Sequence, residues 1–287
     1  MSRSCLRMGV LGVLFAATLS ACVQPPATSQ PVAAVAPLAS PNVQIPEVFI
    51  PSGRFEMGSA AYRDETPPHL VLVDHFWIDR TEVTNGQYAR CVEQGVCRLP
   101  VRLGSYSRPD YFGNPQYNSH PVINVDWGDA DTFCRWAGRR LPTEAEWERA
   151  ARGADDRIYP WGNEFPEPGM LNYDFTVGDT SPVGVYQTGA SPYGVLDMAG
   201  NVAEWVADWY AKDYYLESPL SDPSGPVSAT ARVVRGGSWL DNRNSVRAGL
   251  RLGYPPDSAF VNLGFRCAES TFAPPSFMEG GGHRTLH

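Results

Sequence analysis

The chain has 287 residues, with 23 Lys or Arg against 31 Asp or Glu, a net charge of −8 and a pI near 5.1. Its basic residues are scattered and form no run, which excludes the electrostatic footprint of a nucleic-acid-binding surface. Glycine (27), proline (26) and an aromatic share of 11% exclude a helical bundle and point to a loop-rich fold held by aromatic packing.

Residues 1–22 read as an export signal. Arg3 and Arg7 make a basic start, residues 8–19 form an apolar run too short to span a bilayer, and Leu19-Ser20-Ala21-Cys22 sets small residues directly before a cysteine. This pattern predicts a bacterial lipoprotein whose cleavage leaves Cys22 as a lipidated first residue. An ordinary signal peptide and a retained anchor are the other readings. Each lipid CH2 buried would stabilise attachment by about 0.8 kcal/mol. The expected location is the bacterial cell envelope, outside the cytoplasm. Residues 23–46 carry no charge and are rich in Pro, Ala, Ser and Gln, so they cannot bury enough apolar surface to order themselves. They are expected to form an extended tether, reaching about 70 Å at ~3.1 Å per residue.

One domain with an ample core is expected over residues 47–270. Residues 48–51 and 53–58 read as strand, turn and strand, and residues 69–78 as a further strand. Residues 81–93 read as a first helix, with Thr81 or Thr84 as N-cap. Residues 126–137 read as a second, with Trp127, Ala130, Phe133, Cys134 and Ala137 at helical spacing. Residues 142–151 make a third, started by a capping box of Thr143 and Glu146. Gly- and Pro-rich loops follow to about residue 230. Val233-Val234 and Phe265-Arg266-Cys267 read as short core strands, and residues 271–287 as a disordered tail.

If Cys5 leaves with the signal and Cys22 carries lipid, four cysteines remain: Cys91, Cys97, Cys134 and Cys267. An even number in an exported chain predicts two disulfides, with three pairings open. A C-x5-C spacing matches neither a redox CxxC nor a usual zinc site. The histidines are His69, His75, His120, His283 and His287; the first three, which lie in the expected domain, make no HxxxH or HExxH pattern. A GxSxG elbow, a P-loop and a GxGxxG turn are all missing from the sequence.

Five motifs stand in fixed order: Arg139-Arg140-Leu141-Pro142-Thr143-Glu144-Ala145-Glu146-Trp147, Pro160-Trp161-Gly162-Asn163, Gly200-Asn201-Val202-Ala203-Glu204-Trp205, Arg235-Gly236-Gly237-Ser238-Trp239 and Leu263-Gly264-Phe265-Arg266-Cys267. Together they resemble the formylglycine-generating enzyme, or sulfatase-modifying factor, family over residues 46–270. The resemblance implies an α+β fold, complex, related to C-type lectins and poor in regular secondary structure. It implies a Cys134–Cys267 disulfide, which leaves Cys91 with Cys97. It implies a structural calcium held by Asp197, the carbonyls of Gly200 and Val202, and Glu204. Calcium favours such hard oxygens, although Asp197 and Glu204 can equally serve only to hold loop amides. A second calcium set would be Asn172, Tyr173 and Asp179.

The family oxidises a cysteine of its substrate with Cu(I) held by two cysteines that follow the serine of Arg-Gly-Gly-Ser-Trp. Here those positions carry Asp241 and Val246. A carboxylate is a hard ligand and an alkyl group is none, so copper is not expected at this place. Ser238, Trp239, Asp241, Arg243, Arg247 and Arg251 run along what is the cleft floor in relatives. The three arginines read either as an anion-binding cleft or as a salt-bridged surface. Relatives that bind iron do so through histidines of an added helical domain, for which this chain has no room. The expected function is therefore a membrane-anchored, monomeric family member without the copper site, which binds an exported protein, peptide or glycan or assists one. The other reading is an oxidase or protein-maturation enzyme with a different catalytic set.

Overall fold

The computed structural model describes residues 45–270. The lipidation site at Cys22, the signal, nearly all of the tether and the tail lie outside the described residues. Among those described, no helix is long and apolar enough to cross a membrane.

Among the described residues, nine strands form three small sheets. The first is antiparallel, in the order β1 (Glu47–Ile50), β4 (Phe76–Asp79), β9 (Ala268–Glu269). The second pairs β2 (Gly53–Met57) with β3 (His69–Val73), also antiparallel. The third is mixed, in the order β7 (Arg251–Tyr254), β6 (Arg232–Arg235), β5 (Ala203–Trp209), β8 (Leu263–Phe265), with β8 parallel to β5.

The strand, turn and strand expected around Pro51 are present as β1 and β2, and the chain passes there from one sheet into another. Two expectations are corrected. The strand expected over 69–78 is two strands, broken where the Asp74 amide donates to the Asp222 carboxylate at 2.8 Å. The loop region before residue 230 contains β5, the central strand of the largest sheet. Its first four residues are all buried, so it shows none of the polar alternation that marks a half-buried strand.

The helices start where side chains satisfy free amides. In α1 (Asn85–Glu93), Thr84 rather than Thr81 is the N-cap and forms a capping box with Gln87. In α2 (Trp127–Trp136), Asp126 and Asp129 do the same. In α3 (Glu144–Arg152), the box is Thr143 with Glu146. Every residue of α3 is buried, although its sequence is rich in charge. Such a helix persists only because its carboxylates and guanidinium groups are paired within the core.

Among the described residues, the two largest of four apolar clusters fill most of the interior. One surrounds Trp147, Phe55, Phe76 and Val206. The other surrounds Tyr88, Phe133, Trp205 and Phe265, with Phe133 stacked on Tyr88 at 5.6 Å. Each large side chain buried in this way contributes about 1.5–3 kcal/mol. The second cluster contains the Cys134–Cys267 disulfide, which ties α2 to the chain just after β8. A second bridge joins Cys91 to Cys97.

Candidate binding cleft

β6 ends at Arg235, whose guanidinium is fully buried. It donates to Glu148, to Glu144 at 3.3 Å and to the Ala248 carbonyl at 2.8 Å. The chain then turns through Gly236 and Gly237, both with positive φ. A Cβ on Gly237 would lie 2.1 Å from the Ser245 carbonyl oxygen, so glycine alone lets these two segments meet. The turn delivers Ser238 and Trp239.

Asp241 closes this turn. Its Oδ2 accepts from the Ser238 amide at 2.9 Å and from the Ser238 hydroxyl at 2.6 Å, and Asn262 Nδ2 donates to the same hydroxyl oxygen at 3.0 Å. Val246 is fully buried among Tyr159, Leu171 and Ala199. One position expected to hold a copper ligand in relatives is therefore a turn-closing carboxylate, and the other is a core side chain.

Of the two readings of the arginines, the salt-bridged one holds for Arg247 and Arg251. Arg247 donates to both oxygens of Glu65, at 2.8 and 2.7 Å, and lies over the Tyr62 ring. Arg251 donates to both oxygens of Glu144, at 2.7 Å each, and packs on Tyr215 and Tyr210. Burial would raise the pKa of both carboxylates. At Glu65 the Arg247 and Ser59 contacts outweigh it, at Glu144 Arg251 and Arg235 do, and both carboxyls are held below the usual range. Among the described residues Arg243 alone of the three arginines makes no salt bridge, and its Cζ lies 4.8 Å from the Phe165 ring centroid.

Arg243 borders a cavity of about 330 Å³ that it shares with Tyr173, Asp174, Asn242 and Asn244. The 173–176 turn forms one wall. Asp174 (φ 49°) and Phe175 (φ 56°) are both left-handed, which costs a non-glycine residue about 1–2 kcal/mol. Two backbone bonds of 2.9 Å hold them there, from the Asp174 amide to the Asp241 carbonyl and from the Phe175 amide to the Trp239 carbonyl. Phe175 is 52% exposed, and its ring meets buried Trp239 edge-on at 5.4 Å. Tyr106 is 63% exposed and lies 5.3 Å from Trp239 and 6.4 Å from Phe175.

Asp179 explains how an exposed tyrosine is placed so definitely. Its Oδ2 accepts from the Ser105 hydroxyl at 2.6 Å, the Ser107 amide at 2.9 Å and the Ser107 hydroxyl at 2.7 Å. Burial opposes ionisation of this carboxyl, but those serine bonds prevail and hold its pKa low. The residues on either side of Tyr106 are thus clamped to one anion. Asp179 is thus engaged by these serines, and the Tyr173 carbonyl accepts the Thr176 amide and hydroxyl. The Asn172 side-chain oxygen of this set is buried without a hydrogen-bond partner. A calcium ion here would have to share the Asp179 carboxylate with the serines.

The first set fares similarly. Both oxygens of Glu204 accept from Arg266 at 2.7 Å, and Trp147 Nε1 donates to one of them at 2.8 Å. Asp197 accepts the Gly184 amide at 2.6 Å. Burial, then the Asp197 charge, pushes the pKa of neighbouring Glu82 well up. Gly200, with a positive φ, packs where a Cβ would fall 2.3 Å from the Asn172 carbonyl, and Val202 is fully buried. Among the described residues, no group of three or more His, Cys, Asp or Glu is disposed to hold a metal. A divalent ion at Asp197, Gly200, Val202 and Glu204 would have to share the Glu204 carboxylate with the Arg266 guanidinium.

The sequence did not single out Glu82, Tyr106, Ser107 or Phe175. None of them sits in a motif, and their placement depends on contacts to distant segments. Two described histidines are structural: His69 Nδ1 lies 3.0 Å from the Pro67 carbonyl, and His120 is buried beside Arg108 and Thr180.

The family model of the sulfatase-modifying factor enzyme 1-like domain matches residues 35–271. The formylglycine-generating enzyme of Streptomyces coelicolor is 37% identical over 292 aligned positions, covering 81% of this chain and 91% of that one. The inactive Cα-formylglycine-generating enzyme 2 of Bos taurus is 34% identical, covering 79% and 89%. Among solved structures, PvdO from Pseudomonas aeruginosa superposes with a TM-score of 0.66 at 29% identity, covering 78% of this chain and 94% of that one. Treponema denticola variable protein 1 gives the same TM-score at 25% identity, covering 80% and 97%. The mixed α+β fold with its sparse regular structure is thus of the formylglycine-generating-enzyme type, and the chain belongs to the sulfatase-modifying factor enzyme 1-like family.

Proposed function

We propose that this chain is a lipid-anchored, extracytoplasmic member of the family that binds an exported protein, peptide or glycan in its cleft, and does not oxidise cysteine with copper. One observation carries the reading. Asp241 is committed to Ser238, Val246 is committed to the core, and the four cysteines among the described residues are all joined in disulfides. Cu(I) needs soft sulfur ligands, and the cleft presents none. The anchor is supported by the Leu19-Ser20-Ala21-Cys22 string and the uncharged stretch after it. The alternative of an oxidase with another catalytic set gains no support from the cleft, whose arginines are mostly neutralised.

The test combines metal analysis with an activity assay. The purified protein should contain no stoichiometric copper or iron. It should leave a sulfatase-type cysteine peptide unchanged under oxygen, even after loading with Cu(I). Conversion of the peptide to formylglycine, abolished by one substitution in the domain, would refute the proposal.

A further inference from the structure

We infer that the cleft takes a saccharide bearing an acidic group, with its ring faces against Tyr106 and Phe175 and its acid at Arg243. This rests on the reading of the cleft as a binding site and names the class of ligand it fits.

Four observations carry the inference. Two aromatic rings, more than half exposed, stand on a buried third ring, so their positions are rigid while faces remain free to stack. Both are held in place: Phe175 sits in a left-handed turn, which is strained for a non-glycine residue, and Tyr106 sits between two serines clamped by a buried carboxylate. Next, the adjoining cavity is small and lined by an aspartate, two asparagines, an arginine and a tyrosine, a set suited to hydroxyl and amide groups on a compact ligand. Finally, Arg243 makes no salt bridge among the described residues, whereas Arg247 and Arg251 are each matched by a glutamate. An arginine left open at such a rim favours a carboxylate or phosphate.

A peptide is less well served. The backbone amides of Asp174 and Phe175 are already donated to Asp241 and Trp239, so that wall cannot pair with an extended main chain.

Two probes differ only in charge. N,N′-diacetylchitobiose is neutral, and the corresponding disaccharide of N-acetylglucosamine and N-acetylmuramic acid carries one lactyl carboxylate. Binding is measured by calorimetry on the full mature protein in a detergent without a sugar headgroup. Both sugars should bind, the acidic one about tenfold more tightly. Phe175→Ala and Tyr106→Ala should each weaken both sugars by about tenfold. Arg243→Gln should weaken the acidic sugar about tenfold more than the neutral one, which removes the preference between them. Each variant's unaltered melting temperature shows that it is folded. The inference is overturned if neither sugar binds saturably, if the variants bind like the wild type, or if an acidic hexapeptide binds more tightly with the same sensitivity to Phe175→Ala. The copper and peptide-oxidation assays are separate, so loss of sugar binding leaves the non-oxidase reading standing on its own test.

Discussion

Arg266 grips both carboxylate oxygens of Glu204 at 2.7 Å, in the interior of the domain. The pair occupies the site at which relatives are expected to hold calcium. The protein's melting temperature should therefore stay within about 1 °C when EDTA or excess calcium is added. A calcium ion bound at a hundred times its Kd would add about 2.7 kcal/mol, a shift of several degrees for a domain this size. Such a shift would return Asp197 and Glu204 to the role of metal ligands. Arg266→Met should cost about 3–5 kcal/mol, because it leaves a buried carboxylate without its partner.

The two disulfides should differ in weight. Cys134 and Cys267 are 133 residues apart, whereas Cys91 and Cys97 are six apart. Closing the longer loop restricts the unfolded chain more, by about 5 kcal/mol against about 2 kcal/mol for the short one. Urea unfolding of Cys134→Ser with Cys267→Ser, compared with Cys91→Ser with Cys97→Ser, checks the order. Equal losses would mean that native packing and not chain entropy sets the cost.

Acid should act on His120 before it acts on Glu144. Burial, assisted by the Arg108 charge, pushes the His120 pKa from 6.5 down to about 4. The unfolded chain thus takes up this proton first, and the contribution of neutral His120 is lost as pH falls from about 6.5 to about 4. Glu144 has a lowered pKa, so its contribution is present above 4.5 and fades below it. Asp79, Glu82 and Asp208 have raised pKa values and act in the opposite sense, so the informative quantity is a difference. The stability gap between wild type and His120→Asn should narrow as pH falls from 6.5 to 4. A gap that stays constant would show that His120 titrates as an ordinary histidine.

Membrane attachment should depend on one residue. Cys22→Ala should release the protein into the soluble extracytoplasmic fraction or leave its signal uncut. Fractionation and N-terminal sequencing read this directly. A processed Cys22→Ala protein that stays on the membrane would remove the lipoprotein reading.

Much of the molecule was legible in the chain because its signals are short-ranged. The capping box at Thr143 spans three residues, and so do the boxes at Thr84 and Asp126. The ordered motifs identified the family, and the resemblance implied that Cys134 would meet Cys267. Other features were decided only by the tertiary structure. Arg247 and Arg251 read as a cationic row until folding brought Glu65 from 182 residues away and Glu144 from 107 residues away. That Ser105 and Ser107 close on Asp179 across more than seventy residues was likewise not legible in the chain. β5 read as loop because a strand buried on both faces carries no alternating pattern. Local hydrogen bonding is written in neighbouring residues. The partner that neutralises a charge is set by where the chain returns, and in this protein that return determines which groups remain free in the cleft.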